Sequence, residues 1–281
     1  MLIRVFKDKT VELSILPISR IRPHEETIPA LLDSLKRDLG RTHFQRDPIL
    51  VDKKTHVALD GMHRRAALEA LGANFAVCAE YDYLAESVKL ERWLRYFIAP
   101  DRHLLSKILS MFQLRACESF REAARIVDSG TSGMGLLSAD DSFVSEQKWD
   151  TIEIYQKIKK IDELCRASRI EIEFAPESAK FELFTSESVY VVYPTILSKE
   201  DVVQVTESNE LFPCKTTRHI VPVRPMGIYF PLNDLRTASI EACEKKLGEI
   251  VNLSKIEVEQ REVWYEGRTY SEPLAIFRKE K

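Results

Sequence analysis

The sequence predicts an α+β protein made of two lobes. Residues 1–100 alternate short apolar runs typical of strands with segments of helical periodicity. The length of 281 residues is enough for two domains. A glycine-rich break at Ser129–Gly135 interrupts the following stretch. We therefore predict an N-terminal domain over residues 1–100 and a mixed α/β lobe over residues 101–281, with a cleft between them.

The elements of the N-terminal domain follow from hydrophobic period and from turn residues. Apolar runs of three to six residues predict strands, whereas i, i+3 and i+4 spacing predicts helices. Gly72 is a plausible residue to end the second of these helices. In chain order, the predicted strands are Leu2–Phe6, Val11–Leu16, Ile49–Val51, Val57–Leu59 and Phe75–Ala79, and the predicted helices are Ile28–Lys36, His63–Leu71 and Ser87–Tyr96.

The second lobe is predicted to be mixed, with helices first. Apart from the glycine-rich break, the stretch Asp101–Cys165 is predicted to be largely helical. Beyond it we predict strands at Arg169–Phe174, Phe181–Phe184 and Val189–Val192, a helix at Lys199–Val205, a loop at Glu210–Arg218, an amphipathic helix at Ser239–Val251 and a hairpin turning at Glu266–Gly267. We expect the tail to serve packing or a dimer contact, in a monomer or a homodimer.

Composition excludes several classes of protein. A net charge of −3 and a pI near 6.1 give no overall basic field for coating DNA. The five cysteines are widely spaced and form no CxxC pair, so neither a disulfide framework nor a zinc knuckle is indicated. The N-terminus lacks the pattern of a signal peptide, and no apolar run approaches the length of a membrane span. We therefore expect a cytoplasmic protein without a membrane partner.

One short motif combines the groups that bind phosphate. After the strand that ends at Leu59, the residues Asp60-Gly61-Met62-His63-Arg64 open a helix. A glycine lets the backbone approach an anion, a helix N-terminus presents N–H groups, and arginine adds a forked cation. The alternative for His63 and Arg64 is that they cap the helix and pair with surface carboxylates.

The same motif, continued as Arg65-Ala66-Ala67-Leu68, resembles the DGxHR box of the ParB/sulfiredoxin superfamily. Sulfiredoxins carry a reactive cysteine between the glycine and the histidine of this box. Met62 stands there in this chain, and a thioether cannot act as that nucleophile. Sulfiredoxin activity is therefore not expected.

Two further segments, Arg22-Pro23-His24-Glu25 and Lys215-Thr216-Thr217-Arg218-His219, resemble the free L-serine kinases of this superfamily. The resemblance covers roughly residues 14–235. It implies transfer of a phosphoryl group from ATP or ADP, with Mg²⁺, to free L-serine, giving O-phospho-L-serine. No Walker A loop and no protein-kinase signature is present in the sequence.

The resemblance also implies roles for individual residues. Glu25 is the expected catalytic base, with Glu26 as its competitor. Asp60 is a second catalytic candidate that could bind Mg²⁺, hold the serine hydroxyl or cap the helix. The expected nucleotide-binding residues are Ser34, Gly61, Met62, His63, Arg64 and Lys215, and the expected substrate-binding residues are Leu59, Asp60, His63, Trp93, Thr216, Thr217, Arg218 and His219. Among the latter, Arg218 is expected to pair with the serine carboxylate.

Other interpretations stay open for these residues. Glu25 could be a solvated loop residue, residues 215–219 a basic surface loop, and Trp93 a core side chain. A different class of function is a ParB-like regulator that binds DNA under nucleotide control. Such a protein needs a helix-turn-helix with a basic face. The stretch 103–127 instead mixes arginines with carboxylates.

Overall fold

The chain has the predicted mixed α+β architecture, with several sheets. The computed structural model describes residues 1–6, 9–98, 102–185, 188–260, 263–265 and 268–279. Two compact units are formed, one by Met1–Lys89 together with His219–Lys281 and the other by Leu90–Arg218. This division differs from the predicted boundary near residue 100, because the last part of the chain returns to the first unit.

The N-terminal part of the first unit is a sheet flanked by two helices. Its fully buried core includes Leu13, Ile49 and Val77, which lie on three different strands of the sheet. The sheet has the order β1-β2-β6-β4-β5, in which β4 and β6 run parallel and the other neighbours antiparallel. The elements are β1 (Leu2–Phe6), β2 (Lys9–Pro17), α1 (Pro29–Thr42), β3 (Phe44–Gln45), β4 (Ile49–Asp52), β5 (Ala58–Asp60), α2 (Met62–Ala70) and β6 (Phe75–Tyr81).

Most predictions for this part are confirmed. Every predicted strand is present within a few residues at its ends, and so are the first two predicted helices. The helix α1 begins with Pro29 at its first position, where the missing N–H costs nothing, and continues past Lys36 to Thr42. A 3₁₀ turn at Ile18–Arg20 follows β2.

The second unit is built on a larger sheet. Its order is β11-β7-β12-β9-β10-β8, and β13 also pairs with β7. A core that includes Leu94, Val127 and Val191 lies between this sheet and the helices α4 and α6. The elements are β7 (Lys89–Ile98), α3 (Arg102–Met111), β8 (Leu114–Cys117), α4 (Phe120–Asp128), β9 (Met134–Leu137), β10 (Ser142–Ser145), α5 (Thr151–Ala167), β11 (Glu173–Pro176), α6 (Lys180–Phe184), β12 (Val189–Pro194), α7 (Lys199–Glu207) and β13 (Thr217–Ile220).

The predicted helix Ser87–Tyr96 is wrong, because this segment forms the strand β7. Its charged residues at three-residue spacing, Arg92 and Arg95, suit the polar face of a helix. Both arginines are instead fully buried and ion-paired within the second unit. Antiparallel pairing of β7 with β11 and β12 outweighs the helix propensity of the segment.

Two other predictions for the second unit need correction. The segment Phe181–Phe184 is helical (α6) and not a strand, since it has no β-branched residue and leaves Phe181 exposed. The stretch Asp101–Cys165 contains β8, β9 and β10 besides its helices, and each of these strands has only four residues. The predicted strand Arg169–Phe174 overlaps β11, whereas β12 and α7 confirm the predictions for their segments.

The C-terminal part returns to the first unit and adds a second sheet to it. The helix α9 packs against β2, and Ser239 caps it by accepting the Ala242 N–H. In the sheet β14-β19-β16, β14 and β19 are parallel, and β16 and β19 antiparallel. The elements are β14 (Arg224–Met226), β15 (Phe230–Pro231), α8 (Leu232–Thr237), α9 (Ile240–Asn252), β16 (Ser254–Glu259), β17 (Val263–Tyr265), β18 (Arg268–Tyr270) and β19 (Leu274–Lys279).

The predictions for the tail agree with this part. The amphipathic helix is confirmed as α9, whose buried stripe is Cys243, Leu247 and Val251. The predicted turn at Glu266–Gly267 lies outside the described residues, but the strands on either side of it, β17 and β18, pair antiparallel. In the described part of the chain, no helix combines the length and apolar character required to cross a bilayer.

Candidate functional site

The segment Arg22–Glu25 is fixed alongside the strand that leads into the Gly61 motif. Arg22 forms a parallel bridge with Val57, in which the Ala58 N–H donates to the Arg22 carbonyl at 2.9 Å. From α2, Arg65 Nε donates to the Ile21 carbonyl at 2.8 Å. Two motifs that lie far apart in the sequence are thereby joined within the first unit.

His63 accepts a hydrogen bond from the backbone that follows the Arg22–Glu25 segment. The backbone N–H of Ile28, at the start of α1, donates to His63 Nε2 at 2.9 Å. Because Nε2 accepts a hydrogen bond, this imidazole is neutral and its proton is on Nδ1. A donor role for His63, as expected from the sequence, would therefore use Nδ1.

Gly61 leaves room for the guanidinium of Arg64. Gly61 has φ +102°, and a Cβ added there would lie 2.9 Å from Arg64 Nη2. The guanidinium is also 3.8 Å from Asp47, measured from Nη1 to Oδ2. Asp47 is buried and accepts the Gly227 N–H at 2.9 Å. Arg64 therefore lies over the backbone at the N-terminus of α2, where phosphate-binding N–H groups are found.

Asp60, at the end of β5, contacts two arginines from the C-terminal part of the chain. Arg224 Nη1 donates to Asp60 Oδ2, and Arg268 Nη1 lies 3.4 Å from the same oxygen. Burial by itself raises the pKa of Asp60, but Arg224, Arg268 and Arg64 outweigh burial and hold the pKa well below its usual range. Asp60 is therefore ionised at neutral pH.

The surroundings of Asp60 suit an anion better than an isolated cation. Arg224 also donates to Glu272 at 2.6 Å, so two carboxylates face three guanidinium groups at this point. Among the described residues, no group of three His, Cys, Asp or Glu side chains could hold a metal ion. Mg²⁺ is commonly bound through one or two carboxylates together with substrate phosphates. Asp60 would therefore hold Mg²⁺ only together with the phosphates of a bound nucleotide.

Glu25 lies next to a pair of buried histidines. His24 Nε2 is 3.7 Å from Glu25 Oε1, and the His24 and His219 rings meet edge to face with centroids 5.5 Å apart. Tyr83 Oη and His219 Nε2 are 2.9 Å apart. Burial lowers the pKa of His24, although Glu25 opposes the shift, and burial lowers the pKa of His219 far more. Both imidazoles are therefore neutral at pH 7.

In the second unit, one candidate nucleotide-binding residue, Lys215, and one candidate substrate-binding residue, Arg218, lie beside the ring of Trp93. Trp93 is half-buried on β7, with Lys215 Nζ 4.7 Å and Arg218 Cζ 5.7 Å from its ring centroid. Arg218 also donates to Glu91 Oε2 at 2.8 Å. A planar ring beside two cations and one carboxylate provides a complementary charge for each end of a zwitterion.

The side chain of Arg95 donates hydrogen bonds to the backbone of the loop that precedes β13. This buried arginine donates to the carbonyls of Cys214 at 2.5 Å and Lys215 at 3.2 Å, and pairs with Asp162 at 3.1 Å. Lys215 has a positive φ of 59°. The Thr216 hydroxyl donates to the Pro213 carbonyl at 2.8 Å, so it closes the turn. These bonds fix the backbone that presents Lys215 and Arg218.

The predicted site residues thus form two groups, one in each unit. The structure places Glu25, Leu59–Arg64 and His219 together in the first unit, whereas Trp93 and residues 215–218 belong to the second. Thr217 is buried on β13, and Ser34 is exposed on α1, which packs against α2. Sequence reasoning missed Asp47, Tyr83, Glu91, Arg95, Arg224 and Arg268. Arginines and carboxylates are usually solvated, so nothing in the sequence distinguished the charged members of this set.

The stretch 103–127, considered for DNA reading, does not form consecutive helices. The strand β8 separates α3 from α4 and pairs with β10. This arrangement differs from the helix-turn-helix that the regulator interpretation needs.

Comparison with known proteins finds that this chain is similar to L-serine kinases. The chain is 25% identical over 236 residues to the ADP-dependent L-serine kinase SerK of Thermococcus kodakarensis, covering 81% of this chain and 94% of that protein. It is 24% identical over 244 residues to an ATP-dependent L-serine kinase of Staphylothermus marinus, covering 81% and 93%. A free serine kinase in complex with AMP superposes with a TM-score of 0.68 at 24% identity, covering 80% and 94%, which shows a common fold. No known family profile matches the chain.

Proposed function

Because this chain is a relative of the free serine kinases, we propose that it transfers a phosphoryl group from ADP or ATP to the hydroxyl of free L-serine. The product would be O-phospho-L-serine. The observation that carries the proposal is the arrangement of the first unit, where Glu25, the Asp60–Arg64 motif and His219 lie together although they are far apart in the sequence. The proposal needs a base, a phosphate site and a serine site.

The phosphate site is assigned to the N-terminus of α2. Its first N–H groups have no acceptor within the helix, and Gly61 lets a phosphate approach them. Arg64 provides the forked cation, positioned by Asp47. Ser34, Met62 and His63 are assigned to the same nucleotide site. Mg²⁺, held by Asp60 and the phosphates, would neutralise charge on the transferring group.

Glu25 is assigned as the base that accepts the proton of the serine hydroxyl. Its side chain is 7% exposed, which shields it from water, whereas Glu26 is more open to solvent. Phosphoryl transfer asks little more of the protein than orientation of the hydroxyl and stabilisation of the phosphate charge. The imidazole of His24, 3.7 Å from Glu25, is neutral at pH 7 because burial lowers its pKa.

Serine recognition is assigned to the groups around Trp93, together with His219 and Leu59. Arg218 would bind the serine carboxylate and Glu91 its ammonium group, so the existing Arg218–Glu91 ion pair would open to admit a zwitterion. Trp93 would supply an apolar wall. Lys215 would neutralise nucleotide phosphate, and the N–H groups of Thr216 and Thr217 would support the anion.

The decisive experiment is an activity screen with purified protein, L-serine and Mg²⁺, with ADP or ATP as donor, followed by phosphorus NMR. The expected result is a phosphomonoester signal that requires both serine and one of the two donors. Homoserine and glycerol serve as acceptors that carry a hydroxyl in a different setting. Loss of the donor signal without serine, or no transfer from either donor, would contradict the proposal.

A further inference from the structure

The C-terminal hairpin formed by β17 and β18 brings a cation to the Asp60 motif. Within the first unit, β17 and β18 pair antiparallel, with Tyr265 opposite Arg268. Tyr270 is buried in an apolar cluster with Met226, Leu274 and Ile276. This cluster anchors the hairpin to the sheet β14-β19-β16.

Arg268 and Arg224 contact the same carboxylate oxygen but differ in exposure. The side chain of Arg224 is 3% exposed and connects Asp60 with Glu272, so its hydrogen-bonding groups are used inside the protein. The side chain of Arg268 is 38% exposed, lies 3.4 Å from Asp60 and has its Cζ 5.0 Å from the Tyr270 ring centroid. Arg268 thus holds a weak bond to Asp60 and faces solvent.

A phosphate could take over that weak bond at little cost. Asp60 would stay neutralised by Arg224 if Arg268 turned away from it. A guanidinium bond to a phosphate oxygen is shorter and stronger than a 3.4 Å contact, and the fork geometry suits a phosphate. Asp60 directly precedes Gly61, so Arg268 lies next to the helix N-terminus at which Arg64 is also found.

We propose that Arg268 is a phosphate-binding residue of the nucleotide site, contributed by the C-terminal hairpin. This inference rests on the proposed function and deepens it. It adds Arg268, besides Arg64, as an arginine that binds the nucleotide phosphates lying beyond the phosphate attached to the nucleoside. The tail therefore takes part in the site, and its role is not limited to packing or a dimer contact.

The test is calorimetric titration of the full chain with ATP, ADP, AMP and adenosine. Wild type is compared with Arg268→Ala, Arg268→Lys and the control Arg278→Ala, whose exposed side chain pairs with Glu257 on the same C-terminal sheet. We expect Arg268→Ala to weaken binding of ATP and ADP by about tenfold or more, to weaken AMP less, and to leave adenosine unchanged. Arg268→Lys should lie between wild type and the alanine variant, and Arg278→Ala should match wild type.

The dependence on phosphate number separates phosphate binding from a structural role. Equal loss for ADP and adenosine would mean that the hairpin only supports the fold, and unchanged ADP affinity would remove Arg268 from the site. Either outcome overturns the inference while serine phosphorylation by wild type still supports the proposed function. Conversely, Arg268-dependent ADP binding in a protein that phosphorylates no serine would overturn the proposed function and leave the inference standing.

Discussion

Glu25 is a buried carboxylate whose Oε1 lies 3.7 Å from Nε2 of the buried His24. Burial lowers the pKa of His24 and keeps its imidazole neutral at pH 7. The Arg22–Val57 bridge holds the segment in place, so the position of the carboxylate is set by backbone hydrogen bonds.

We predict that Glu25→Gln abolishes phosphorylation of serine, while ADP or ATP affinity stays within a few-fold of wild type. Glutamine keeps the size of the side chain but cannot take up the proton. Steady-state turnover and calorimetric titration measure the two effects. Glu26→Gln is the matched control and should keep turnover near the wild-type value. Full activity of the Glu25 variant would exclude this residue as the base.

Arg64→Ala should weaken nucleotide binding by about 1.5–3 kcal/mol, the range for a hydrogen bond to a charged group. The loss removes the guanidinium that lies over Gly61. Arg41→Ala, which changes an exposed arginine of α1 that pairs only with the surface residue Asp38 in the described contacts, provides the control. Calorimetric titration with ADP and ATP measures the difference. If both variants bind like wild type, Arg64 has only the capping role.

Arg218→Lys should raise the serine KM much more than the nucleotide KM, because lysine keeps the charge and loses the fork that pairs with a carboxylate. Serine amide tests the same contact from the substrate side. Wild type should discriminate strongly against the amide, and the variant much less. Glu91→Gln shows whether Arg218 serves only its ion pair with Glu91. If Arg218 serves only that ion pair, Glu91→Gln should discriminate between serine and serine amide as weakly as Arg218→Lys does.

At the scale of elements, the junction of β5 and α2 depends on a backbone conformation that only glycine adopts easily. Gly61 has φ +102°, and the adjacent guanidinium occupies the space of a side chain. Strand, glycine and helix form one continuous support for the phosphate site. A change at this position therefore affects both the folding of the junction and the position of Arg64.

Gly61→Ala should destabilise the fold by about 1–2 kcal/mol, the usual cost of a left-handed conformation for a residue with a Cβ. It should also weaken nucleotide binding, since Arg64 must move away. The control is Gly40→Ala within α1, where a Cβ meets no atom within 4 Å and where alanine should add about 0.5–1 kcal/mol of stability. Urea unfolding and ADP titration of both variants measure these effects. Wild-type nucleotide affinity in Gly61→Ala would refute the assignment of the phosphate site to the junction of β5 and α2.

Elements with a strong local pattern were predictable from the sequence, and those defined by distant partners were not. The strand β2 alternates buried apolar residues with less buried ones, β6 carries an apolar run, and α9 has a cap and a buried stripe. By contrast, β7 has a helix-like charge spacing, and its strand conformation depends on β11 and β12, which lie far along the chain. No local rule reports such pairing.

The candidate site shows the same contrast. Glu25, Gly61 and Arg64 belong to short motifs whose residue types indicate their chemistry. Arg224 and Arg268 belong to no motif, and they meet Asp60 only because β14 and the C-terminal hairpin join the first unit. Their contribution depends on burial and tertiary pairing, which composition does not reveal.

At the scale of the whole molecule, two buried histidines should make the protein sensitive to acid. The pKa values of His24 and His219 are lowered by burial, so the unfolded chain binds more protons than the folded chain below about pH 6.5. The two histidines therefore leave the free energy of unfolding unchanged above that pH and lower it progressively as the pH falls. The lowered pKa of Asp60 acts only below about pH 4, where the unfolded carboxyl begins to protonate.

We therefore predict that the free energy of unfolding falls between pH 6.5 and 5, by up to about 1.4 kcal/mol per pH unit for each histidine. His24→Gln should reduce this slope, although it also lowers stability at pH 7. His103→Gln, which changes an exposed residue of α3, should leave the slope unchanged. Urea unfolding at a series of pH values provides the measurement. An identical slope in wild type and His24→Gln would show that His24 does not cause the fall in stability.

The discontinuous first unit has a consequence for synthesis on the ribosome. Residues 90–218 form a contiguous unit, whereas the first unit combines Met1–Lys89 with His219–Lys281 and can be completed only after the second unit has been synthesised. Until the last strands appear, Asp60 lacks both of its arginine partners, and β2 lacks the helix that covers it. A chain that stops before Arg224 would therefore contain the Asp60–Arg64 motif and residues 215–219 and still lack both arginines that contact Asp60.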